Sequence, residues 1–192
     1  MATTDTKGVL MKKAVLICLS LFVLGGCATS HMIKSDVKPE IAAKPGSATL
    51  VIIRDTYFGG GIVFWNYLDG KLIGETMGKT YFITSVPPGP HYVVAASENT
   101  GVARFDFKPG KVYFLGQNIA MGVWRARVGG FYPMNRQEAA EAMNNCSYTQ
   151  YDPAKPGEDM APDLYKKAIE EYEAEVKDKP EAFKAILAYD GQ

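Results

Sequence analysis

Histidine and cysteine are scarce in this chain: 192 residues include only His31, His91 and three cysteines. Zinc sites of the usual His and Cys composition are therefore out of reach, and no metal or other cofactor is expected. Charge of either sign is not in excess, with 21 Lys and Arg against 21 Asp and Glu. A balanced chain without long basic runs does not lead to nucleic acid as a partner. Long apolar runs are missing too. The longest such segment, Ala14 to Leu24, has 11 residues, whereas a helix needs about 20 to cross a hydrocarbon core.

The flanks of that short segment give it meaning. Lys12 and Lys13 precede it as a positive n-region, and Leu24, Gly25, Gly26 and Cys27 close it. This is the layout of a signal peptide. The pattern resembles the lipobox of bacterial lipoproteins, with Leu24, Gly25 and Gly26 as the signal-peptidase recognition residues and Cys27 as the lipidation site. The resemblance implies a mature chain beginning at a Cys27 that carries acyl chains such as palmitate, a near-permanent membrane anchor. Sorting rules carried over with it place a chain having Ala28 after the cysteine at the periplasmic face of the outer membrane of a Gram-negative bacterium. Met11, directly before Lys12, reads as a more natural start than Met1.

Removal of residues 1–26 leaves 166 residues with 18 Lys and Arg against 20 Asp and Glu. Cys146 is then the one cysteine that is neither removed nor acylated, so it has no disulfide partner within the chain. It reads as a small buried apolar residue. Residues 27–47 hold Lys34, Lys38, Pro39, Lys44, Pro45 and Gly46 without an apolar period, and are expected to be a flexible tether of roughly 25 Å that lifts the domain off the membrane.

From Ala48 the texture becomes short β-branched and aromatic runs closed by turn residues, the mark of an all-β sandwich. Strands are expected at 48–54, 62–68, 71–76, 80–86, 91–97, 102–107, 112–118 and 122–128. The reading is one antiparallel β-sandwich of seven to eight strands within residues 48–146. Asp69-Gly70 signals a type I′ hairpin turn. A short helix over 136–144 has Asn135 as its cap. Residues 147–160 read as a linker. A longer helical segment over 161–192 starts near Pro162 and is broken at Pro180. Its stripe of Tyr165, Ile169, Tyr172 and Val176 suits docking either on this domain or on another protein.

The segments ATLVIIR, DGKLIGE, TYFITSVPPGPHYVVA, PGKVYFLG and QEAAEAMNNC resemble a family of bacterial lipoprotein domains without an assigned function. VPPGPHYV is also similar to PEGA-type and other transthyretin-like β-sandwich modules. The resemblance covers residues 48–146 and implies fold and location, with no catalytic residues.

Chemistry is sparse. No GxSxG elbow surrounds a serine, and Gly59-Gly60-Gly61 lacks the Lys and Ser or Thr of a phosphate loop. Two surfaces stand out as contact sites. Arg104, Arg125 and Arg127 form a candidate grip for an anion. Phe64, Trp65 and Tyr67 form a candidate stacking platform for a sugar or peptide. The expected function is a non-enzymatic, membrane-anchored binding or scaffolding module for an envelope protein or glycan. The alternatives are a hydrolase using carboxylates from loops such as Asp55 to Gly61, and a structural protein self-associating through its C-terminal helix.

Overall fold

The computed structural model describes residues 30–122 and 126–192. Among them ten strands form two sheets, and three helices lie in the last third of the chain. The strands are β1 (Met32–Lys34), β2 (Ala48–Arg54), β3 (Phe64–Leu68), β4 (Lys71–Thr76), β5 (Thr80–Val86), β6 (Gly89–Ala96), β7 (Thr100–Phe107), β8 (Val112–Met121), β9 (Ala126–Pro133) and β10 (Ser147–Tyr151). The helices are α1 (Arg136–Asn144), α2 (Pro162–Asp178) and α3 (Pro180–Leu187).

A six-stranded sheet in the order β1-β10-β5-β2-β8-β9 faces a four-stranded one in the order β4-β3-β6-β7. The mainly β, two-sheet architecture is the one expected, but with ten strands instead of seven to eight. The smaller sheet is wholly antiparallel. The larger is mixed, because β2 runs parallel to β8 and β10 parallel to β5. Such pairs join segments far apart in sequence, so no turn between adjacent strands announces them.

β2 explains why ATLVIIR is apolar throughout. Its Leu50 and Ile52 point between the sheets, among Phe82, Tyr113 and Leu115 of the larger sheet and Val93, Phe105 and Phe107 of the smaller. Val51 and Ile53 point the other way, with Tyr81 and Phe114, under Ala139 and Ala142 of α1 and beside Cys146. A strand covered on both faces loses the usual polar alternation. At its end the buried Cys146 thiol is pushed up to about 12, chiefly by burial, which makes it inert rather than reactive.

Local signals act as read. Asp69 and Gly70 both have positive φ, 49° and 84°, as a type I′ turn requires. Asn135 and Glu138 form a reciprocal capping box on α1. Pro162 starts α2 and Pro180 starts α3.

Two boundaries differ from the expected ones. Residues 147–160 are not simply a linker, because β10 within them pairs with β5 on one side and β1 on the other. Nor are residues 30–47 a free tether. β1 pairs antiparallel with β10, and Ile41 packs against the core beneath α1. The C-terminal segment docks on its own domain. α2 and α3 lie along the edge strands β7 and β9, with Ile186 in the inter-sheet core. At the end of the chain the backbone of Gln192 exchanges two hydrogen bonds of 2.8 Å with Val112. The helices thus cover strand edges that would otherwise offer unpaired backbone.

Candidate functional site

Trp65 and Tyr67 of β3 turn away from the inter-sheet core. Phe64 does not, which corrects its place in the stacking platform: it is fully buried, with the Arg54 guanidinium 4.0 Å above its ring. Strand alternation sends Trp65 and Tyr67 to the opposite face, and there they border a cleft of about 490 Å³ together with His31, Ser97, Glu158, Asp159 and Leu164. Trp65 is 37% exposed and Leu164 60%, whereas Tyr67 is 9% exposed and forms the wall.

Glu75 fixes one side of this cleft. Its carboxylate is 1% exposed, yet it finds three donors in the N-terminal segment. Ser30 Oγ donates to Oε2 at 2.9 Å, the His31 backbone N–H donates to Oε2 at 3.0 Å, and His31 Nδ1 contacts Oε1. His31 is thus held inside the fold as the partner of a buried acid. The opposite side is made by the segment leading into α2. Asp159 Oδ1 accepts from the Leu72 backbone N–H at 3.0 Å, and the Met160 N–H donates to the Gly70 carbonyl at 2.8 Å.

The interior of the cleft is electronegative. Burial, followed by the charges of Glu75, Asp159 and Glu158, holds the Tyr67 hydroxyl above its ordinary range. Ser97 Oγ is buried and has no hydrogen-bond partner among the described residues, an uncommon state for a hydroxyl. An indole face, a wall hydroxyl and two carboxylates suit stacking and hydrogen bonding of a ligand.

Arg104 lies on β7 of the smaller sheet, 5.9 Å from the centre of the Tyr92 ring, with Tyr92 its register partner on β6. Arg127 is exposed on β9 of the other sheet. Arg125 lies outside the described residues, as do Leu24, Gly25, Gly26 and Cys27. In the Asp55 to Gly61 loop, Asp55 is engaged by Lys79. The carbonyls of Phe58 and Gly59 accept from Arg54 at 3.4 and 2.7 Å, so these glycine-loop carbonyls turn toward a cation. Among the described residues no group of three or more His, Cys, Asp or Glu is placed to hold a metal. None of their helices is long and apolar enough to cross a membrane.

Sequence reasoning missed Glu75, Arg54 and the acidic wall. Arg54 is fully buried and donates to the carbonyls of Ile62 and Thr76 as well as to the loop. Beside it, Gln117 joins Asn66 and Thr76 across the two sheets. The available signal was a charged residue ending a strand otherwise apolar on both faces, where burial extends to the last position.

Over 126 residues, covering 63% of this chain and 73% of the other, the sequence is 29% identical to an uncharacterized protein of Haemophilus influenzae. No family model matches the chain. No solved structure matches it.

Proposed function

We propose that this chain is an acyl-anchored lipoprotein of the bacterial cell envelope, held at the periplasmic face of the outer membrane through Cys27, and that its β-sandwich works by contact instead of catalysis. The observation that carries the proposal is the order Lys12-Lys13, an 11-residue apolar segment, and Leu24-Gly25-Gly26-Cys27. The similarity to a protein of a bacterium is in keeping with a bacterial export signal. The resemblance of VPPGPHYV to PEGA-type and transthyretin-like modules supports the fold and the location, and a binding or scaffolding role toward an envelope protein or glycan is part of the proposal. The cleft at Trp65 supports it from another direction, offering shape and hydrogen-bonding groups for a ligand.

Labelled palmitate tests the anchor. It enters the protein in growing cells, and Cys27→Ala abolishes both the label and sedimentation with membranes. Palmitate-free protein that still sediments with membranes would overturn the proposal.

A further inference from the structure

The candidate cleft and Cys27 are close in the chain. Ser30 and His31 are fixed to Glu75 at the cleft wall, and three residue steps separate Cys27 from Ser30. Fully extended, three residues reach about 10 Å, while a headgroup layer is itself roughly 6 Å deep on each side of a bilayer. An acyl group on Cys27 therefore keeps the cleft wall within a few ångströms of the headgroup layer. The slack of roughly 25 Å expected of a flexible tether is absent, because β1 and the Glu75 clasp take it up.

The rim has the composition such a layer selects. Trp65 is 37% exposed, Tyr151 36% and Leu164 60%. Tyr151 is joined to the rim through its hydroxyl, which accepts from the Gly157 N–H, between Pro156 and Glu158 of the cleft lining. Indole and phenol rings settle where an apolar body and a wet edge are both satisfied. Inside, Glu158 and Asp159 repel a bare phosphate, but they and an indole face attract an ammonium group by charge and by the ring quadrupole.

We infer that this cleft is seated on the bilayer that holds the anchor and takes the ammonium group of a zwitterionic, ethanolamine-type phospholipid between Trp65 and the carboxylates of Glu158 and Asp159. The inference rests on the lipoprotein reading, deepens it, and turns the tether into an orienting strap.

The test uses full-length protein from bacterial membranes, with the mass of its N-terminal peptide reporting acylation. In a Trp124→Phe background Trp65 emission is read in vesicles of phosphatidylethanolamine with phosphatidylglycerol and in phosphatidylglycerol alone, each carrying lipids brominated near the glycerol. Quenching is expected in both and about threefold stronger with the amine lipid. Glu158→Gln removes that difference. If Trp124→Phe does not fold, a nitroxide on Leu164→Cys gives the same comparison through its exposure to lipid-soluble oxygen. Acylated, vesicle-bound protein with an unquenched Trp65 overturns the inference while leaving the envelope reading intact. Equal quenching in the two vesicles overturns the headgroup assignment, as does a soluble glycan that shifts Trp65 emission and is not displaced by vesicles. Protein without an acyl group overturns both.

Discussion

Removing the imidazole from the His31–Glu75 pair should cost more than removing the charge from the acid. In His31→Ala the Glu75 carboxylate, 1% exposed, keeps the Ser30 hydroxyl and one backbone N–H but loses its third donor. Leaving a buried charge short of partners costs about 3 kcal/mol. In Glu75→Gln the acid is replaced by a neutral group of the same shape. The partly exposed His31 recovers solvent contacts, so the loss is nearer 1 kcal/mol. The double variant should lie close to Glu75→Gln alone, because no charge remains to be orphaned. Urea unfolding followed by circular dichroism measures all four corners of the cycle, and the coupling should be about 3 kcal/mol. Strictly additive single effects, or a His31→Ala cost below that of Glu75→Gln, would refute the clasp.

Alkaline pH should unfold the domain. Burial holds the Cys146 thiol at about 12 against an ordinary 9.0 and raises nine tyrosine hydroxyls, with Tyr92 pushed up to about 12 mainly by its bond to Glu173. These groups ionise first in the unfolded chain, so stability is intact below about pH 9 and falls as pH rises toward 12, with Cys146 alone removing about 4 kcal/mol. Arg54, lowered to about 10 by burial, has the opposite sign but is a single group; stability that is flat to pH 11 in a urea series would contradict this balance. Arg54→Met removes two short bonds to the Ile62 and Gly59 carbonyls, worth about 1.5–3 kcal/mol each. It also removes a desolvation cost of about 3 kcal/mol. The net loss should be near 2 kcal/mol, with new protease cleavage in residues 55–61, and wild-type cleavage resistance would count against it. Ile186→Ala should lower stability by about 3 kcal/mol, because α3 fills the inter-sheet core; an effect under 1 kcal/mol in the same unfolding assay would mean the helix is only laid on the surface.

The features legible in the sequence were those that neighbouring residues decide. Asp69-Gly70 demands positive φ, Asn135 and Glu138 satisfy each other's backbone, and Pro162 and Pro180 fix helix starts. Central β2 could be recognised because both of its faces are apolar. Elements stabilised only across distance were invisible. β1 is three residues long and exists because β10, more than 110 positions later, offers it an edge, so Met32-Ile33-Lys34 carries no period of its own. Glu75 sits in KLIGET, where a charged residue reads as solvent-facing, and becomes buried only when Ser30 and His31 fold over it.

The same limit explains why the lining of the cleft was half found. Trp65 and Tyr67 share a face by simple alternation, so the platform was readable, while Phe64 was grouped with them although alternation puts it on the other side. The acids that give the cleft its polarity come from residues 158 and 159, in a stretch whose Pro and Gly content marks only irregular chain. A lipidation signal read as a location and a cleft read as geometry meet at Ser30 and His31. The two residues belong to a segment that composition describes as slack and hydrogen bonding describes as fastened. Reach is set by the first fastened residue rather than by the length of unpatterned sequence, so the working surface of an anchored domain is decided by where its first buried partner lies.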